Sequence, residues 1–230
     1  MKCFGTISRA AAACALLSAL LCACSEPPKI ERGQFPLPKG AETAECEVGK
    51  YGGIFVLSDA QEPKTFNLLM ASDAYSAQSI SLMLSPLVNY DPMKEEVVPA
   101  LAESWTVSED GKTYVFKLRE GVKFSDGAEL TADDVVFTFD AIFAPQLDAD
   151  GKPVLDKATK RPLLRYPSRY AGQYTIGGEP IKYRKIDKYT VEFKTNKVYA
   201  PFLNDIGFIE ILPKHKLQKA ADDGSLQQAW

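Results

Sequence analysis

Histidine is almost missing from this chain: His215 is the only one in 230 residues. A histidine-built metal site is therefore excluded within it. There is no Cys-x-x-Cys, no Gly-x-Ser-x-Gly, no phosphate loop and no Gly-x-Gly-x-x-Gly, so the usual local signatures of redox, acyl-transfer and nucleotide chemistry are lacking. A basic block is lacking too. The formal net charge is −3 with both signs dispersed along the chain, whereas a nucleic-acid binder needs a lysine and arginine stripe. Apolar runs are short as well: Ala10 to Leu21 is the most continuous, and a membrane-spanning helix needs about 20 apolar residues. These absences leave no expected catalytic residue, no cofactor, no metal and no nucleic-acid partner. Adjacent acids such as Glu95-Glu96 and Asp133-Asp134 read as caps or solvated turns, and His215, at a helix start, reads as structural.

What is present begins with an export signal. Lys2 and Arg9 give a positive start, the apolar stretch to Leu21 follows, and small residues close it, which is the pattern of a secretory signal over residues 1–23. Leu21-Cys22-Ala23-Cys24 resembles the bacterial lipobox, so Cys24 is the expected lipidation site and mature N-terminus. Several acyl chains on one terminus suffice for stable anchoring. Of the five cysteines, Cys3, Cys14 and Cys22 leave with the signal and Cys24 carries lipid. Cys46 alone remains, and no internal disulfide is possible. Residues 24–49 contain Pro27, Pro28, Pro36 and Pro38 with little periodicity and read as a semi-rigid tether.

The composition of the whole, 46% hydrophobic and 25% charged, suits an ordinary globular core. Gly53 to Ser58 is an apolar run fit for a buried strand. Ile80, Met83, Leu84 and Leu87 recur at helical spacing with Pro86 closing the helix, and Leu87 to Asp91 reads as a strand entering a turn. Trp105 to Ser108 and Thr113 to Leu118 alternate apolar and polar residues around Asp110-Gly111, a hairpin signature. Their alternation makes Trp105, Tyr114, Phe116 and, further on, Phe124 core-facing. Asp126-Gly127 marks another turn. Thr131-Ala132-Asp133-Asp134 opens a helix as a capping-box variant, with Val135, Val136, Phe139, Ile142 and Phe143 as its apolar face. Residues 144–180 lack core periodicity, so Tyr166, Tyr170 and Tyr174 are expected on a surface loop. A second hairpin surrounds Asp187-Lys188, Pro201 starts a short helix, Phe208 to Leu212 is a last strand, and Pro213 opens a helix running towards Trp230. Interspersed strands, hairpins and helices indicate an α/β, or mixed α+β, body.

Several of these segments, taken in order, form a family pattern. Leu101-Ala102-Glu103-Ser104-Trp105, Glu109 to Tyr114, Phe116 to Phe124, Ser125-Asp126-Gly127 and Leu130 to Phe137 strongly resemble the family 5 solute-binding proteins of ABC importers, the dipeptide, oligopeptide and nickel receptors. Leu84 to Leu87, Tyr199 to Phe202 and Ile211 to His215 extend the likeness. The resemblance implies a periplasmic-binding-protein-like fold of type II, with two lobes closing on ligand and an extra domain on the first. Residues 50–72 and 206–230 would belong to lobe one, residues 73–205 to the extra domain, and the second lobe is expected to lie beyond Trp230.

The same resemblance implies capture of a peptide or similar small solute, delivery to ABC permease subunits, and a membrane contact through the lipid anchor. Ala71, Ser72, Asp73, Ala74 and Tyr75 resemble the lobe-one segment that lines the cleft. The competing readings are an envelope lipoprotein enzyme of the peptidase or glycosidase class, and a surface interaction protein that keeps the receptor fold.

Overall fold

A computed structural model of the chain describes residues 54, 56, 58–166 and 168–229. The signal segment, Cys24, Cys46 and the tether lie outside the described residues. The elements run α1 (Ala74–Ser81), β1 (Val88–Asp91), β2 (Glu96–Pro99), β3 (Ala102–Val107), β4 (Thr113–Leu118) and α2 (Ala132–Phe143). They continue through α3 (Arg169–Gln173), β5 (Thr175–Ile176), β6 (Glu179–Pro180), β7 (Lys182–Asp187), β8 (Thr190–Lys194), α4 (Phe202–Asp205) and α5 (Lys214–Asp223), with a 3-10 turn at Leu226–Gln228.

The main sheet is antiparallel, in the order β3-β4-β8-β7. Trp105 stands opposite Phe116 and Val107 opposite Tyr114, so both hairpin strands turn the same residues to one face. At the tip, the Ser108 amide donates to the Thr113 carbonyl at 2.9 Å and Gly111 adopts a φ of 65°, a backbone conformation that glycine enters without steric cost. Phe116, Val191 and Phe193 from β4 and β8 are fully buried. The helix α2 covers them: Phe139 meets Phe193 edge-on at 4.9 Å between centroids. Tyr114 and Phe116 are buried as expected, whereas Trp105 and Phe124 are only half-buried.

Helix α2 starts as the Thr131 to Asp134 pattern predicts. The Thr131 hydroxyl accepts from the Asp133 amide at 3.3 Å, and the Asp134 carboxylate accepts from the Thr131 amide at 2.9 Å. Two orphan helix-end donors are thereby satisfied reciprocally.

Four expectations need correction. Ile54, Val56 and Ser58 lie outside any strand, and Ile54 and Val56 are 83% and 80% exposed. No described strand pairs with them, and an extended segment without a ladder partner has no backbone bonds to hold it. Phe208 to Leu212 is likewise no strand: it makes one isolated bridge, Glu210 with Pro86. Helix α5 stops at Asp223 because Gly224 takes the left-handed cap at φ 82°, a common helix stop.

The fourth correction concerns the tyrosines. Tyr166, Tyr170 and Tyr174 are 1%, 8% and 1% exposed. They are core residues. Their segment escapes a periodicity test because residues 144–165 leave α2 and return beside it, the Arg165 amide donating to the Ala144 carbonyl at 2.7 Å. Within that excursion the amides of Gln146, Leu163 and Val154 donate in a closed ring to the carbonyls of Leu163, Val154 and Gln146.

Candidate functional site

The segment from Ala71 to Tyr75 sits at the entry of α1 and is positioned by two buried polar residues. Asn67 is 2% exposed. Its carbonyl accepts from the amides of Met70 and Ala71 at 3.1 and 3.0 Å, and its side-chain oxygen accepts from the Leu69 amide at 2.9 Å. Its side-chain nitrogen donates to the Leu226 carbonyl at 2.7 Å, 159 residues away. A buried amide satisfied in this way fixes the loop against the C-terminal turn.

Ser76 is the second. Its hydroxyl oxygen accepts from the amides of Lys64 and Thr65 at 3.0 and 3.2 Å and its proton goes to Asp73 at 2.8 Å. Asp73 in turn caps α1, accepting from the Ser76 amide at 2.9 Å. The Ser76 amide, and next its hydroxyl, hold the Asp73 carboxyl below the usual carboxylate range.

Of the five residues expected at the site, Ala71 is buried, Asp73 and Tyr75 are half-buried, and Ser72 and Ala74 are exposed. Small side chains at the exposed positions leave the backbone approachable. Neither Asn67 nor Ser76 stood out in the sequence; the Asp-x-x-Ser spacing ahead of a helix is the signal that marks the second of them. Cys24 lies outside the described residues.

A second cluster lies where residues 209–216 meet the turn after β4. The side chains of His215 and Lys216 both reach Asp126 Oδ2, at 2.7 and 2.9 Å. These two hydrogen bonds hold the Asp126 carboxyl far below its ordinary range, His215 contributing more than Lys216. Beside them is a cavity of about 500 Å³ lined by Leu84, Phe124, Leu130, Ile211 and Pro213. His215 thus ties the Asp126-Gly127 turn to the first turn of α5, a bridging role. Glu210, in the segment leading to α5, is a half-buried carboxyl raised above its usual value by burial, with Arg169 its attracting cation. Among the described residues no group of three or more histidine, cysteine or acidic side chains is disposed to hold a metal ion.

This mixed α/β arrangement is that of the type II periplasmic peptide-binding proteins. The described fold matches the oligopeptide-binding protein AppA from Bacillus subtilis, solved in complex with a nonapeptide, at a TM-score of 0.55 and 32% identity, over 70% of this chain and 27% of that one. It matches the ABC transporter substrate-binding protein CtaP from Listeria monocytogenes at a TM-score of 0.55 and 28% identity, over 73% of this chain and 30% of that one.

Among curated proteins, the dipeptide-binding protein of Escherichia coli K12 is 36% identical over 165 residues, 66% of this chain. Di/tripeptide-binding protein 4 of Pseudomonas aeruginosa UCBPP-PA14 is 34% identical over 182 residues, 74% of this chain. The aligned regions span 28% and 31% of the length of these two relatives. The model of the bacterial extracellular solute-binding proteins, family 5, matches residues 96–229. The chain belongs to that family.

Proposed function

We propose that the chain serves an ABC importer as its solute-binding lipoprotein, capturing a peptide or similar small solute and presenting it to membrane permease subunits. The observation that carries this reading is the family match over residues 96–229, joined to a fold shared with a receptor solved with peptide bound. In this reading residues 73–205 are the extra domain, and residues 50–72 with 206–230 belong to lobe one. The Asn67 to Leu226 hydrogen bond supports that division, since it joins the two stretches assigned to lobe one.

The ligand-facing wall in this reading is Ala71 to Tyr75. Exposed Ser72 and Ala74 allow a peptide backbone to approach closely, as an added strand does. Asp73 is occupied by capping, so it shapes the wall through its backbone. Closure on the solute is a hinge motion driven by stronger binding in the closed state. Cys24 carries the lipid and residues 24–49 lift the body from the membrane.

Calorimetry against a dipeptide and oligopeptide library tests the reading, with Ser72→Trp as the blocking variant at the wall. Micromolar binding lost in Ser72→Trp is the expected result. No binding by any peptide, sugar or metal chelate, or a whole panel in which no ligand's binding depends on Ser72, would overturn it.

A further inference from the structure

The excursion 145–164 and the segment from α3 to β6 enclose an open groove of about 590 Å³. That volume falls within the range of small-molecule sites. Phe143, Pro162, Leu164 and Pro180 give it an apolar lining, and none of Ala71 to Tyr75 contributes to it. Arg161 and Glu179 also line it, and both are exposed, which places a cation and an anion at its mouth.

Among the described residues neither of those two side chains has a hydrogen bond or an ion pair. The guanidinium of Arg161 lies over Gly178: a Cβ there, at φ 87°, would stand 3.4 Å from its Nη2 atom. The missing side chain at 178 therefore leaves room for the cation next to the residue that carries the anion.

We propose that this groove is a second ligand site, taking a small zwitterion with an apolar body, the size of a free dipeptide of apolar residues. An amphiphilic anion would meet Arg161 favourably but Glu179 unfavourably, and an amphiphilic cation the reverse. Only a ligand with both charges complements both residues at the mouth, and its apolar side chains gain by leaving water for Phe143 and Leu164. The site stands apart from the wall at Ala71 to Tyr75 and does not depend on the importer reading.

Gly172 provides the test. It lies in α3 and lines the groove, and a Cβ built on it meets nothing within 4 Å. A Cβ at 172 therefore has open space, and Gly172→Phe brings a ring into the groove lining from a helical position. Calorimetry of the protein with Leu-Phe, with N-acetyl-Leu-Phe-amide and with laurate gives the readout. Leu-Phe binding should disappear in Gly172→Phe and persist in Ser72→Trp. It should weaken about tenfold or more in Arg161→Ala and in Glu179→Ala, the scale of one charged hydrogen bond. The capped peptide should bind at least about tenfold more weakly than Leu-Phe.

Three outcomes overturn the proposal: no Leu-Phe binding at millimolar concentration, Leu-Phe binding unchanged in both Arg161→Ala and Glu179→Ala, or laurate binding that needs Arg161 and ignores Glu179. If Gly172→Phe fails to fold, the two surface charge variants decide alone.

Discussion

The hydroxyl of Thr138, in the middle of α2, accepts a 2.9 Å hydrogen bond from the amide of Leu212, 74 residues further along. It donates at the same time to the Asp134 carbonyl, at 2.8 Å. Asp134, one turn earlier, accepts from the Lys214 amide at 3.0 Å while its other oxygen completes the capping box. One helix face thus satisfies the backbone of the segment leading into α5.

Replacing that hydroxyl by a methyl group isolates the effect. Thr138→Val keeps the shape and leaves the Leu212 amide buried without a partner. It should destabilise the fold by about 1–3 kcal/mol. Urea unfolding, with an unchanged slope, is the measurement, and a loss below a few tenths would contradict it.

Asn67→Leu removes the tie between the loop before α1 and the C-terminal turn. It should cost a similar amount, about 1–3 kcal/mol, for the stranded Leu226 carbonyl and Leu69 amide. Hydrogen exchange should quicken at Leu69 and in the 3-10 turn together. Faster exchange confined to one of the two would argue against a shared anchor.

Tyr174→Ala is the sharpest check of the buried tyrosines. A surface-loop residue would lose almost nothing, whereas truncating a buried aromatic costs about 3–5 kcal/mol. Tyr174→Phe, which removes only the 3.2 Å bond from the hydroxyl to the Asp205 carbonyl, should cost about 1 kcal/mol. Thermal melts of the two variants settle the ordering.

The Asp126 cluster predicts a pH effect of definite sign. The folded-state carboxyl is held down by His215 and then Lys216, so the stabilisation is complete above the unfolded value of about 4. It is lost as pH falls below that value towards the depressed folded one. Asp126→Asn should therefore lower the melting temperature at pH 5 and 6 and converge with the parent in strong acid. A constant difference from pH 6 to pH 2 would sink the assignment.

If Cys24 carries lipid, metabolic labelling with a fatty acid marks the protein and Cys24→Ser abolishes both the label and membrane retention. A parent protein that never takes up label would refute the anchor.

The hairpins and α2 were legible in the sequence because their signals are local. Alternation from Thr113 to Leu118, an Asp-Gly pair and a Thr-x-x-Asp cap each act within a few residues. The sheet order was not legible, since nothing near Phe116 says that Val191 will stand beside it. Ile54, Val56 and the run 208–212 look like strand residues by composition, yet a strand depends on a partner that no local pattern supplies. The tyrosines failed for the opposite reason: their burial comes from packing in space, as in the contact of Tyr174 with Phe139 and the 5.8 Å stack of Tyr170 and Tyr174, rather than from periodicity. At the proposed wall, the small residues Ser72 and Ala74 were readable by resemblance, while Asn67, which positions them, speaks only through a bond spanning 159 residues.

The closed ring of amides joining Gln146, Leu163 and Val154 makes the excursion between Ala144 and Arg165 self-sufficient in backbone pairing. Its two ends already touch through the 2.7 Å bond between those residues. Joining them directly would leave α2 and the sheet with their own bonds intact. A loop of another length or sequence grafted between Ala144 and Arg165 would therefore meet the host body at one fixed seam.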